Sequence, residues 1–195
     1  MRIVPASQAD PADLEAVFDA PGDQRACRCQ WVRLPRADFS AMSRDARAEA
    51  LREQAGCGTH REQTSGLLAF VDGVPAGWVA VEPRAAYLRL RAARYPWLGR
   101  DEDKDDDRVW AVTCFVVRRD FRGRGLMAAL AVAAVDHARA RGAAAVEGYP
   151  RVVDPAGDTP EGALFVGTVG AFEAAGLRMV STPTLRRRVM RRELA

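Results

Sequence analysis

Apolar and polar positions change period several times along the chain, and each change marks an element. Arg2 to Ala6 alternates as a short strand does. Asp10-Pro11-x-Asp13 then supplies a capping residue and a proline at the first helical position, opening a helix through Phe18. Pro21 to Phe39 mixes Cys27, Cys29, Trp31, Leu34 and two prolines without a sustained period, and reads as a loop with room for a helical turn. Ser43 caps an Ala-, Arg- and Glu-rich helix through Ala55. Gly66 to Val71 and Val74 to Val81 are apolar runs separated by Asp72-Gly73, the pair that a type I′ hairpin turn prefers.

Arg84 to Asp107 lacks a period and is expected to be loop. Val109 to Val117 is apolar on both faces, with Ala111, Thr113, Phe115 and Val117 alternating against Trp110, Val112, Cys114 and Val116. Such a run belongs in the middle of a sheet. Leu126 to Arg141 places Leu126, Leu130, Ala134 and His137 at helical spacing and closes at Gly142. Ala143 to Val146 reads as a strand and Pro150 to Pro160 as a Pro/Gly-rich loop. A helix from Ala163 to Ala175 ends at Gly176, and two strands, Leu177 to Ser181 and Arg187 to Arg191, complete the pattern.

Composition narrows the class. In 195 residues, 48% are hydrophobic and 28% charged, which suits one folded domain over 1–195 and argues against disorder. The net charge of +3 is too small to imply nucleic-acid binding, and no apolar run approaches a membrane span. Four cysteines without a signal-peptide pattern point to a reducing cytoplasm. Lys104 is the sole lysine, so the cationic side chains are otherwise arginines.

The informative segment is the turn Arg118-Arg119-Asp120-Phe121-Arg122-Gly123-Arg124-Gly125 between the central strand and the helix at Leu126. A glycine-rich turn entering a helix aims several unpartnered N–H groups at one point, near the positive end of the helix dipole. Gly123 and Gly125 let the backbone approach a phosphate, and Arg122 and Arg124 can add charge-assisted hydrogen bonds. The plain alternative is an ordinary turn with solvated arginines. A dinucleotide site is another, since Gly123-x-Gly125-x-x-Ala128 fits that fingerprint and Glu147 could hold a ribose. Against it, five polar residues separate the strand from the glycines, and too little chain follows for a second half-sheet.

Arg122-Gly123-Arg124-Gly125-Leu126-Met127 resembles the signature of the GCN5-related N-acetyltransferases, Gln/Arg-x-x-Gly-x-Gly/Ala after a core strand. The likeness runs from about Gly66 onward and includes the hairpin with Gly77 and the late helix ending Phe172-Glu173-Ala174-Ala175-Gly176-Leu177. It implies an α/β fold with a mixed, mostly antiparallel sheet flanked by helices, to which Pro21 to Gly58 is expected to add an N-terminal helical elaboration near the acceptor side. It also implies acetyl-coenzyme A as acyl donor, with pantetheine along Phe115 and Val117 and phosphates at Arg122 to Ala128. Two departures stand out. Met127 sits where the family has Gly or Ala, and Phe165 and Phe172 sit where it often has an Asn and a proton-donating Tyr.

The reaction implied is direct attack of an amine on the thioester. Its oxyanion can be met by a backbone N–H of the central strand, and a base removes a proton from the acceptor. Glu82 and Tyr149, each at a strand end, are the candidate catalytic groups, though a solvated or half-buried bystander is the plainer reading of both. Cys27, Cys29, Cys57 and His60 match a zinc ligand count without a standard spacing, so buried reduced thiols are the default and no metal is assigned. Cys114 is expected to pack rather than react. The run Asp101 to Asp107, six carboxylates around Lys104, could steer a polyamine, aminoglycoside or basic peptide, but reads first as a solvated loop. Arg186, Arg187, Arg188, Arg191 and Arg192 read as a soluble sheet edge. The expected partner is a small-molecule or peptide amine, with a homodimer admitted. The readings left open are a non-catalytic acyl-coenzyme A module and a NAD(P)-binding protein.

Overall fold

A computed structural model describes residues 1–19, 24–153 and 161–194. Strand β1 (Arg2–Pro5) leads into α1 (Pro11–Phe18). Asp10 caps this helix reciprocally: its Oδ1 accepts from the Ala12 N–H at 2.8 Å, and Asp13 accepts from the Asp10 N–H at 3.2 Å. Three short helices follow, α2 (Gln24–Cys27), α3 (Gln30–Arg33) and α4 (Arg36–Ala41). The loop expected there is thus largely helical. Each helix is too short to show a 3.6-residue period, and Cys29 in a left-handed conformation and Pro35 separate them. Ser43 caps α5 (Arg44–Ala55) and Gly56 ends it, as the sequence predicts.

Strands β2 (Gly66–Val71) and β3 (Val74–Pro83) form the hairpin, with positive φ at both Asp72 and Gly73. The segment after β3 holds α6 (Leu88–Ala92) and two 3-10 turns rather than loop alone. Next come β4 (Val109–Val117), α7 (Leu126–Ala140) and β5 (Ala145–Gly148). The start of β5 lies two residues beyond expectation because Ala143 still belongs to the helix cap, donating to Ala138 O at 3.1 Å. The late helix is split. A 3-10 turn over Glu161–Val166 stops at Gly167, and Thr168 caps a new helix, α8 (Val169–Ala174). Strands β6 (Arg178–Thr184) and β7 (Arg187–Glu193) close the sheet. Residues 154–160 of the expected loop lie outside the described residues, as do 20–23.

The sheet order is β1-β2-β3-β4-β5-β7-β6, antiparallel throughout except that β4 and β5 run parallel. β4 is central, as expected. β7 lies inside β6, so its arginines do not line a sheet edge. One core packs α7 and α8 on one face; another packs α1 and α5 on the other. Gly77 permits the α7 approach, since a side chain there would press on Val116 O at 3.0 Å and on Leu130 at 3.3 Å.

A bulge alters the face assignment on β4. Ala80 pairs with Cys114 and Val81 with Val112, leaving Thr113 without an opposite residue. Simple alternation therefore fails: Trp110, Val112, Phe115 and Val117 share the α7 face, while Cys114 and Val116 face α1. Pairing with β5 stops at Val112 and Gly148 although β4 runs on to Val117. Beyond that point, among the described residues, no strand pairs with the β5-side edge of β4, and the 3-10 turn over Glu161–Val166 lies against β4.

Candidate functional site

The turn into α7 is built as the sequence implies. Gly123 and Gly125 have φ of 73° and 74°, a region that favours glycine, and open space surrounds both. Gly125 is the N-cap and offers no side chain to the first-turn amides; the helical ladder begins with Ala129 N–H donating to Gly125 O at 3.1 Å. The N–H groups of Leu126, Met127 and Ala128 therefore have no acceptor inside the helix. Arg122 Nε donates to Val117 O at 3.3 Å, and the Arg124 guanidinium lies 5.6 Å from the Phe121 ring centre.

A cavity of about 340 Å³ opens onto this turn and onto the free edge of β4. Phe115, Val117, Arg122, Gly123, Gly125, Leu126 and Met127 all line it, whereas Arg124 and Ala128 do not. Met127 is accommodated by turning toward α8, where its sulfur lies 3.9 Å from Thr168 Oγ1.

A second cavity, of about 490 Å³, adjoins the first and shares Gln24, Val116 and Phe165 with it. Its walls come from the short N-terminal helices, from β4 at Thr113 and Cys114, and from Arg47, Arg151 and Arg187. A smaller cavity of about 180 Å³ continues it past Thr113 toward Tyr95 and Tyr149. The result is a cleft reaching from the glycine turn, past the bulge of β4, to a chamber roofed by α2 to α4. Helices of the N-terminal elaboration thus wall the larger cavity.

Sequence reasoning named both candidate catalytic groups but not their surroundings. Glu82 is paired with Arg33 and faces a separate small space beside Trp78 and Tyr87, away from the three cavities. Tyr149 lines the smallest of the three, and its hydroxyl donates to Glu147 Oε2 at 2.6 Å. Burial, reinforced by the Glu147 charge, pushes the Tyr149 phenol well above its usual range. Glu147 itself has no exposed surface and is met by Arg84 at 3.1 Å, Arg191 at 2.9 Å and Arg100. Burial alone would raise its pKa, but the bonds from Arg100 and Tyr149 and the Arg100 and Arg84 charges hold it below its ordinary value. A carboxylate so engaged has no capacity left for a ribose, which removes the acidic partner that a dinucleotide site would need.

Arginines also meet three carboxylates of the acidic run. Glu102 meets Arg84, Arg100 and Arg191, Asp105 meets Arg91, and Asp106 meets Arg108. Phe172, with no exposed surface, packs its ring 5.7 Å from that of Phe115, under Gly148 and Gly167. Phe165 stands where the two larger cavities join. Neither phenylalanine carries a transferable proton.

The cysteines are all free thiols. Cys27, Cys29 and Cys114 line the larger cavity, and burial pushes Cys27 up to about 11 and raises Cys29 as well. Cys57, also raised by burial to about 11, packs instead beside the α1 core. Among the described residues no three His, Cys, Asp or Glu side chains converge so as to hold a metal ion, so Cys27, Cys29, Cys57 and His60 make no shared ligand set. Among them, too, no helix is long and apolar enough to cross a membrane.

Comparison with known proteins bears on this cleft. The model of the Acetyltransferase (GNAT) family matches residues 29–151. No curated protein sequence matches the chain. Solved structures share its fold at low identity. A crystallised acetyltransferase is 17% identical with a TM-score of 0.59, over all of both chains. A putative acetyltransferase from Salmonella typhimurium, solved with acetyl-CoA, is 15% identical at 0.54, over 100% of this chain and 94% of that one. A phosphinothricin acetyltransferase from Sinorhizobium meliloti, in complex with acetyl-CoA, is 15% identical at 0.55, over 99% and 88%.

Proposed function

The chain belongs to the acetyltransferase (GNAT) family, and on that premise we propose that it moves the acetyl group of acetyl-coenzyme A directly onto a primary amine held in the larger cavity. The observation that supports this reading most is the uncapped first turn of α7, opening with the free edge of β4 onto one cavity that joins a second. The pyrophosphate would lie on the amides of Leu126, Met127 and Ala128, with Arg122 and Arg124 beside it. The pantetheine arm would take the place of a strand along Phe115 and Val117.

The thioester carbonyl then comes to the bulge of β4, and a backbone N–H there can receive the oxyanion. The neutral amine attacks the carbonyl carbon and a C–N bond forms. The nitrogen gives up a proton to water, the C–S bond breaks, and the coenzyme thiolate takes a proton from solvent. Per turnover an ammonium and a thioester become an amide, a thiol and one released proton.

No carboxylate or histidine lines the cleft among the described residues, so this scheme leaves proton removal to water and not to Glu82 or Tyr149. The arginines assist differently. Arg47, Arg151 and Arg187 disfavour a further positive charge and so lower the pKa of a bound ammonium, enlarging the nucleophilic fraction. The four free thiols support a reducing, cytoplasmic setting.

Calorimetry with acetyl-coenzyme A and with NAD, followed by free-thiol release in the presence of amines, tests the reading. Binding of the coenzyme in preference to NAD, with amine-dependent thiol release, is expected. Preference for NAD, or coenzyme binding without any amine-dependent turnover, sinks it.

A further inference from the structure

Charge is unevenly divided in this molecule. Among the described residues the two buried arginines, and Arg100 with them, are matched by carboxylates: Arg28 by Glu15 and Asp19, Arg84 and Arg100 by Glu147 and Glu102. The larger cavity of the cleft breaks that habit. Arg47 from α5, Arg151 from the chain after β5 and Arg187 from β7 converge on it from three separate elements. Among the described residues none of the three meets a carboxylate within ion-pair distance, and no Asp or Glu lines the space.

Local geometry fixes two of these groups without exhausting them. Arg47 donates from Nη1 to Ala26 O at 2.7 Å and from Nε to Ser43 O at 3.2 Å, with its guanidinium 4.4 Å from the Phe39 ring centre. Arg187 donates from Nη1 to Tyr149 O at 3.4 Å and lies 5.4 Å from the Tyr95 ring centre. Each retains a guanidinium edge for something else. The thiols that share the wall, Cys27 and Cys29, are held protonated by burial and supply no compensating negative charge.

We propose that the acceptor is a small amine that also carries an anion, an amino acid or a comparable amine with a carboxylate or phosphoryl group, with the anion held by Arg47, Arg151 and Arg187 and the amine turned toward the bulge of β4. The inference rests on the acetyl-transfer reading above and adds the class of acceptor. Guanidinium forks match carboxylate and phosphate oxygens in pairs. The cavity, about 490 Å³, has the size of a small-molecule site, and Trp31 and Phe39, rings 5.0 Å apart, give it an apolar wall. A polyamine or aminoglycoside would bring several cations into a lining that already carries three, while Glu102, Asp105 and Asp106 of the run expected to steer it are tied to arginines.

The test uses the purified full chain and acetyl-coenzyme A, with free-thiol release as readout. The panel holds the twenty proteinogenic α-amino acids with their methyl esters, phosphoethanolamine with ethanolamine, and spermidine. We expect turnover of at least one anionic member, with kcat/KM at least ten-fold above that of its ester or of ethanolamine, and the two arms distinguish carboxylate from phosphoryl recognition. Arg151→Gln should raise KM for that acceptor at least ten-fold, Arg151→Lys should recover part of the loss, and KM for acetyl-coenzyme A and the melting temperature should stay put. Equal or better use of esters, ethanolamine or spermidine overturns the inference, as does an unmoved KM in Arg151→Gln. Coenzyme binding with no anionic acceptor turned over overturns it too. Failure to bind acetyl-coenzyme A at all instead removes the acetyl-transfer reading beneath it.

Discussion

The Tyr149 hydroxyl is committed to Glu147: it donates to Oε2 over 2.6 Å, at the point where β5 ends and the cleft begins. Glu147 in turn joins Arg84, Arg100 and Arg191, so one carboxylate links β5 to β7 and to the segment after β3. Glu147→Gln removes the buried charge shared by three arginines and leaves Arg84, which has no exposed surface, with Glu102 as its remaining charge partner. We expect a loss of roughly 3–5 kcal/mol. Tyr149→Phe deletes a single hydrogen bond and should cost about 1–2 kcal/mol while leaving kcat within about three-fold. Urea unfolding and steady-state kinetics on the two variants check this; a hundred-fold fall in kcat for Tyr149→Phe would return the hydroxyl to the reaction.

Gly125→Asp tests the coenzyme grip. It places a carboxylate against the proposed phosphates at a left-handed position that Asp and Asn tolerate better than most residues. Affinity for acetyl-coenzyme A by calorimetry should drop at least ~100-fold, since both the charge and the dipole are opposed. Gly125→Asn, with the same shape and no charge, should fall much less. Equal losses would show that backbone strain alone is responsible.

A pH dependence follows from His137, which is buried against Trp110 with Arg141 near its Nδ1 at 3.2 Å. Burial and then the Arg141 charge lower its pKa from 6.5 to about 4. The unfolded chain therefore binds the extra proton first as pH falls. The stabilisation is complete above about 6.5 and disappears as pH drops toward 4, amounting to on the order of 3 kcal/mol. Glu147, whose pKa is also depressed, adds to the loss on the acid side, below the ordinary carboxylate range. His137→Gln should flatten the slope between pH 6.5 and 4 in urea titrations; an unchanged slope would show that the ring does not carry it.

Glu82→Gln should leave kcat/KM within about three-fold, because Glu82 is paired with Arg33 outside the cleft. A general base would cost roughly 10²–10⁴-fold on removal, so steady-state rates across pH separate the two roles cleanly.

Elements whose identity is local were legible in the sequence. The Asp10 cap, the Asp72-Gly73 turn, the glycine pair before α7 and the continuous apolar run of β4 each announce themselves within a few residues. Three kinds of feature were not legible. Helices α2 to α4 are shorter than the period that would betray them. The bulge at Thr113 depends on register with β3 and shifts Phe115 to the face of Trp110 and Val112. Arg187 and Arg191 turn inward only because β7 inserts between β5 and β6, an order that sequence adjacency does not suggest. The same long-range order brings Arg47 to Arg151 and Arg187, each more than a hundred residues further along the chain. Glu82 and Tyr149, by contrast, were recognisable as strand-end polar groups, while their partners Arg33 and Glu147 were not assignable from spacing.

The two halves of the cleft differ in what a mutation can reach. At the α7 turn the groups proposed to hold the coenzyme belong to the main chain, and replacement of neighbouring side chains leaves those amides in place. At the other end, the cavity proposed for the acceptor is lined by side chains borne on the three short helices, α5, β4, the chain after β5 and β7. Descendants of such a sequence can therefore exchange one acceptor for another by a few codon changes while inheriting the same acyl donor, so divergence in this lineage should be read first from the roof of the chamber.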